Sequence, residues 1–107
     1  MRWEALGHAS LKNQHPAHLL ELSDGRLLIT LGARNEGIRG VLARVSDDGG
    51  ESWGWPRLVV DMRTTHDVGY PSSVELEDGS IVTAYYSGGI PEHNRYHMGV
   101  ARWTIED

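Results

Sequence analysis

The sequence predicts an all-β fold made of two four-stranded antiparallel units. Three observations carry that prediction. Apolar residues come in short runs, the runs break at Asp-Gly pairs, and the whole pattern occurs twice within 107 residues. No window sustains an apolar 3.6-residue period long enough for a helix.

The first element is "HLLELSDGRLLITLGA", whose Leu and Ile runs are broken at Asp24-Gly25. It reads as a hairpin, because Gly accepts positive φ and Asp caps such reversals. "RGVLARVS" follows as a third strand and "RLVVDM" as a fourth, separated by "SDDGGESW". The second hairpin, "SSVELEDGSIVTAYYS", repeats the first with its break at Asp78-Gly79, and "HMGVARWT" is its third strand. Laid over each other, Pro16 matches Pro71, Leu22-x-Asp24-Gly25 matches Leu76-x-Asp78-Gly79, Thr30 nearly matches Thr83, and Ala43-Arg44 matches Ala101-Arg102. The second copy differs by a longer loop, "SGGIPEHNRYH", where the first has "GARNEGI". Repeated four-stranded units of this length suit the blades of a β-propeller, with an eight-stranded sandwich or barrel as the rival.

Composition narrows the function classes. A chain of this length is one small domain that buries roughly two thirds of its unfolded surface. The net charge of −5 is spread without a basic block, which argues against a nucleic-acid partner. There is no cysteine, so disulfides and thiolate metal sites are excluded. No window approaches the length of a membrane span, no export signal is visible, and a cytoplasmic location is the default expectation. His15-x-x-His18 and His93-x3-His97 fall in strand or loop contexts, so they read as surface or packing histidines, with no metal or cofactor expected.

"SDDGGESW" could be a carboxylate site or a turn. The calcium-loop spacing is not met. Asp and Ser oxygens can accept backbone N–H groups in turns, and Trp supplies a large buried area. The segment fits Ser-x-Asp-x-Gly-x-Ser/Thr-Trp at Ser46, Asp48, Gly50, Ser52 and Trp53, and so resembles the Asp box of the bacterial neuraminidase repeat. The resemblance implies a structural turn between the third and fourth strands of a blade. Met1-Arg2-Trp3 looks like the tail of an earlier box, and Thr104 and Glu106 fall where a later one would start. The chain therefore reads as two blade-equivalents, about 1–53 and about 54–107, cut from a longer parent or meant to assemble with copies of itself.

The resemblance extends to six-bladed sialidase-like propellers. "YPSSVELEDGSIVTAYY" is similar to their nucleophile segment, with Tyr70 preceding Ser72-Ser73-Val74 and Tyr85 closing the strand, although Pro71 departs from the pattern. In an up-and-down blade, the Asp-Gly turns and the Asp box share one end. The other end collects Arg34, Glu36, Arg39, His66, Asp67, Tyr70, His93, Asn94 and Arg95. Such residues can grip an anionic sugar. A sialidase uses a Tyr nucleophile because a carboxylate nucleophile would be repelled by the substrate's own carboxylate, which arginines clamp.

The resemblance thus makes Tyr70 the candidate nucleophile and Arg34 or Arg39 the clamp. Asp67 would orient a neighbour or contact sugar hydroxyls, with His66 and Arg95 as further substrate contacts. The plainer alternatives stay open: Tyr70 starts a strand, the arginines are solvated loop charges, and Asp67 caps a turn. The general acid, further arginines and the activating Glu come from other blades, so a single copy is expected to be an inactive sialidase-type hydrolase segment. The alternative is a noncatalytic glycan-binding or self-assembling module. Three copies would supply six blades, making a homotrimer one expected partner state beside a glycan or acidic sugar.

Overall fold

The computed structural model describes residues 2–62, 67–88 and 96–105. It is all-β among those residues, with β1 Gln14–Glu21, β2 Leu27–Asn35, β3 Ile38–Ser46, β4 Arg57–Asp61, β5 Val68–Glu75, β6 Ile81–Ser87 and β7 His97–Trp103. Two antiparallel sheets result, one ordered β1-β2-β3-β4 and one ordered β5-β6-β7. The second sheet has three strands where four were expected. The sheet boundary also falls later than the repeat boundary near residue 53, because β4 pairs with β3 through Gly40 opposite Asp61 and Val41 opposite Val60. No strand forms in residues 2–13, so the first copy has no fourth strand ahead of β1.

The two hairpin turns are built alike. The Gly25 N–H donates to the Leu22 carbonyl at 2.9 Å and the Leu22 N–H to the Arg26 carbonyl at 2.8 Å. Leu76, Gly79 and Ser80 repeat this pair of bonds at 2.9 and 2.8 Å. Gly25 and Gly79 stand at φ of 92° and 85°, the left-handed position of a three-residue hairpin loop that only glycine occupies freely. Asp24 and Asp78 each accept the N–H two residues on, at 3.0 Å. Pro16 and Pro71 also share a role. Each lies in the irregularity where the first strand of its sheet loses register, a place where a missing N–H costs no ladder bond.

β5 lies across β1, β2 and β3, and β4 approaches β7. Leu22, Leu28, Ala43 and Ile81 form the buried cluster between the sheets, with Leu20, Val45, Val59, Trp103 and Ile105 against it. Next to this apolar cluster the seam is polar. Ser73 Oγ lies 3.2 Å from Thr30 Oγ1 and 2.8 Å from Thr83 Oγ1, and Trp103 Nε1 donates to Thr83 Oγ1 at 2.9 Å. The Ser73 N–H donates to His18 Nδ1 at 3.2 Å. All three hydroxyl residues are buried, and each finds a partner, as burial demands. Further along the seam the backbones touch. A Cβ on Gly32 would stand 2.8 Å from Gly69 Cα, 3.0 Å from the His15 carbonyl oxygen and 3.1 Å from that of Val68.

These contacts are backbone on all sides and cannot move aside as a side chain would. Gly32→Ala is therefore expected to lower stability by about 1–3 kcal/mol, the usual cost of overpacking. In a thermal melt that is about 4–8 °C for each kcal/mol in a small domain. Gly54→Ala, whose new Cβ would lie 3.4 Å from the Val45 carbonyl oxygen, is the control and should shift the melt little. Equal melting temperatures for Gly32→Ala and the parent would refute the backbone-contact account.

Candidate binding site

The strand directions put the Asp-Gly turns and the Asp box at one end of the molecule. The Ser23 N–H donates to Glu75 Oε1 at 2.7 Å, so both sheets turn at the same end. At the opposite end lie the β2–β3 turn and the starts of β5 and β7.

Ser46–Trp53 connects β3 to β4 as a self-contained turn. Buried Ser46 Oγ donates to Asp48 Oδ1 at 2.8 Å and accepts the Gly50 N–H at 2.9 Å. Asp48 Oδ1 accepts the Ser52 N–H at 2.9 Å, and its Oδ2 accepts the Ser52 hydroxyl. Behind the turn, Arg44 donates to the carbonyls of Gly54, Trp53 and Ala9 at 2.9, 3.0 and 2.8 Å. Trp53 is half-buried. The Ser52 hydroxyl and N–H, with Ser46, hold the Asp48 carboxyl down at about 2. Its oxygens are therefore committed to the turn.

The opposite end gathers charged and aromatic groups from both sheets. Arg34, at the end of β2, donates from Nε to the Val68 carbonyl at 3.3 Å and from Nη2 to the Tyr86 hydroxyl at 3.2 Å. Tyr86 and Tyr96 both donate their hydroxyl protons to Asp67, one to each carboxylate oxygen. Arg34 Nη2 stands 3.9 Å from Asp67 Oδ1. The bonds from Tyr86 and then Tyr96, with the Arg34 charge, hold the Asp67 carboxyl below the usual carboxylate range. Burial, reinforced by the bond to Asp67, pushes Tyr86 up to about 12, and the Asp67 bond also raises Tyr96.

Tyr70 joins through its ring, 5.3 Å from that of Tyr86, which lies 5.8 Å from Tyr96. It is 64% exposed and sits at φ of +46°, left-handed for a non-glycine residue directly before proline. No hydrogen bond to its hydroxyl forms within the described residues. Arg39 stands directly opposite Arg34 across the β2–β3 ladder. Both lie on the face turned to the second sheet, so the two arginines are side-by-side strand residues and not loop charges. Arg39 Nε is buried and unpartnered among the described residues.

Arg34, Arg39, Asp67 and Tyr70 are thus at one end, while His66 and Arg95, with His93 and Asn94, lie outside the described residues. Glu36 is exposed in the β2–β3 turn. Sequence reasoning missed Tyr86 and Tyr96. Tyr86 adjoins Tyr85, and neighbouring strand residues face opposite ways, so reading Tyr85 as the end of the strand left its neighbour free to face the site. Among the described residues no group of three or more His, Asp or Glu is placed to hold a metal ion.

Four aspartates share one pH response. Asp24, Asp48, Asp67 and Asp78 are all lowered by hydrogen bonds formed on folding. A lowered carboxyl stabilises the fold above its unfolded value, about 4, and that contribution is lost as pH falls through the folded value. Thermal stability should hold near pH 5 and decline between about pH 4 and 2. Asp48→Asn should flatten part of that decline. An unchanged acid limb in Asp48→Asn would remove Asp48 from the account.

No protein-family model matches the chain, and no curated protein matches it. A solved structure does: a protein of unknown function from Dyadobacter fermentans DSM 18053, 26% identical, superposes with a TM-score of 0.71. The match covers 97% of this chain and 27% of that one, so the chain spans about a quarter of its neighbour's length.

Proposed function

We propose that the two sheets are adjoining blades of a sialidase-like β-propeller, and that the end carrying Arg34 binds a glycan through an acidic sugar. The blade reading is supported by the Asp box between β3 and β4, by the matched hairpin turns and by the sequential order of strands within each sheet. The sugar reading rests on one observation: Asp67, Tyr86 and Arg34 form a preset donor and acceptor group beside the exposed rings of Tyr70 and Tyr96. Aromatic faces cover the apolar side of a sugar ring, Asp67 can accept its hydroxyls, and guanidinium groups pair with a carboxylate.

Binding is favoured over hydrolysis because, among the described residues, no base bonds the hydroxyl of Tyr70, and Tyr86 is no substitute for it. A phenol becomes a nucleophile only when a base removes its proton. Tyr86 holds its proton up to about 12, and Asp67, held low, is a poor base for it. A sialidase-type hydrolase segment is the second reading, supported by the strained Tyr70 backbone at the position of the family's nucleophile. In that reading other blades supply the base and the acid.

Calorimetric titration with a sialylated lactose and with lactose itself separates these cases. The acidic sugar is expected to bind better than the neutral one, and Arg34→Met to weaken it about tenfold or more, the effect of losing a charge-assisted bond. Equal binding of both sugars would sink the acidic-sugar reading. Turnover of a fluorogenic sialoside by the chain, abolished in Tyr70→Phe, would replace binding by hydrolysis.

A further inference from the structure

Two hollows open at the Asp-box end, away from the site around Arg34, and they share a wall. The larger, about 300 Å³, has Asp47, Trp53, Gly54 and Arg57 in its lining. The smaller, about 240 Å³, is lined by Arg44, Trp53, Gly54 and Trp55. Trp53 and Gly54 belong to both, so a ligand longer than one hollow passes over them. The larger hollow also borders the seam between the sheets: Val45, in its lining, packs on the apolar cluster, and Arg57 stands opposite buried Ala43 across the β3–β4 ladder.

The two aspartates of the turn differ in what they have left to offer. Asp48 spends its oxygens on Ser46 and Ser52. Asp47 stands at a position of the Asp box where the turn demands no particular side chain; it is exposed, and it makes no side-chain hydrogen bond or ion pair with any described residue. The same holds of Arg57, half-buried in the same hollow. A carboxylate and a guanidinium thus line one hollow without pairing with each other, and each keeps its hydrogen-bonding capacity for a ligand. Arg26, which also lines it, is bonded to Asp24 at 2.9 Å. Beyond Trp53, Trp55 is 90% exposed and closes the smaller hollow.

We infer that the two hollows form a second binding site, for a neutral oligosaccharide that runs from Trp55 across Trp53 to Asp47 and Arg57. Sugar rings present flat apolar faces, which indoles cover, and hydroxyl groups at their edges. Arg57 donates to the oxygens of those hydroxyls and Asp47 accepts their protons. A small zwitterion would satisfy Asp47 and Arg57 but would fill the larger hollow alone, leaving Trp55 unused. An acidic sugar is disfavoured because Asp47 lines the same hollow as Arg57. Pockets of this size sit at the lower end of the range for small ligands, which suits a chain of rings taken one to each hollow. This site shares no residue with the Arg34 end and stands independently of the acidic-sugar reading.

The experiment is a titration of the isotope-labelled 107-residue chain with the neutral hexasaccharides of glucose, mannose, galactose and xylose, followed by two-dimensional NMR. The tryptophans are Trp3, Trp53, Trp55 and Trp103, so location is read from few indole signals. At least one of these sugars is expected to shift the Trp53 and Trp55 indole N–H signals saturably, while that of Trp103, bonded to Thr83 in the seam, stays in place. Asp47→Ala should weaken that binding about tenfold or more, the effect of losing hydrogen bonds to a charged group, and Trp55→Ala about two- to tenfold. Both side chains are exposed and outside the hydrogen bonds of the turn, so both variants should melt with the parent and report binding, not folding. No shift with any of the sugars overturns the inference, as does equal affinity in Asp47→Ala and the parent. Shifts confined to the amides of Arg34, Asp67 and Tyr86 would place neutral sugars at the opposite end and overturn it as well.

Discussion

The approach of two backbones at Gly32 and Gly69 sets the distance on which the rest of the molecule depends. Face-packed sheets normally stand about 10 Å apart, with side chains filling the gap. At this point there are no side chains to fill it, and the sheets come together until main chain meets main chain. The consequence is graded along the seam. Near the Asp-Gly turns the gap holds Leu22, Leu28 and Ile81, and midway it is wide enough only for the hydroxyls of Thr30, Ser73 and Thr83. Burying three hydroxyls without partners would cost about 1–3 kcal/mol each. The linked arrangement, closed by the Trp103 indole N–H and the His18 ring, avoids that cost and fixes which strand faces which.

The same closeness builds the site. Arg34 belongs to the first sheet, and its partners Val68 and Tyr86 belong to the second. A side chain larger than hydrogen at residue 32 or 69 would lengthen both contacts. The irregular register around Tyr70 and Pro71 contributes as well. A bulge re-aims the side chains next to it, and here it leaves the Tyr70 ring beside Tyr86, outside the regular alternation of β5. Stability and site geometry are thus coupled through two glycines and one bulge.

The hairpin turns and the Asp box were legible in the sequence because each is a local structure whose hydrogen bonds close within five or so residues. Leu22 to Arg26 and Ser46 to Ser52 require nothing from elsewhere in the chain. Register was not legible in the same way. Residue identity aligns Ala43 with Ala101 and Thr30 with Thr83, yet strand pairing makes Val100 and Ala84 the equivalents. A slip of one residue in a strand reverses the face. Thr30 and Thr83 accordingly point toward each other across the seam, joined through Ser73, and are not copies of one position. The site was half legible for a related reason. Arg34, Arg39, Asp67 and Tyr70 could be placed at one end from topology alone. Tyr86 and Tyr96 meet Asp67 and Arg34 through contacts between segments distant in the chain that no local pattern encodes.

Arg34 and Arg39 show what the site costs the fold. Like charges directly opposite in an antiparallel pair disfavour the sheet by some tenths of a kcal/mol up to about 1 kcal/mol, and here both side chains face inward. Arg34 has an anionic neighbour in Asp67, and Asp67 divides its two oxygens between tyrosines. Arg39 Nε keeps a buried donor without a described partner, a group that burial ordinarily penalises. An apolar pair at these two positions would serve the sheet better. Together with the left-handed Tyr70, these are departures from local preference concentrated at one end of the molecule, while the Asp-box end satisfies every polar group it commits to its turn. Strain and unmet polarity are thus gathered on one side of an otherwise consistent fold, and they are departures that folding alone does not favour.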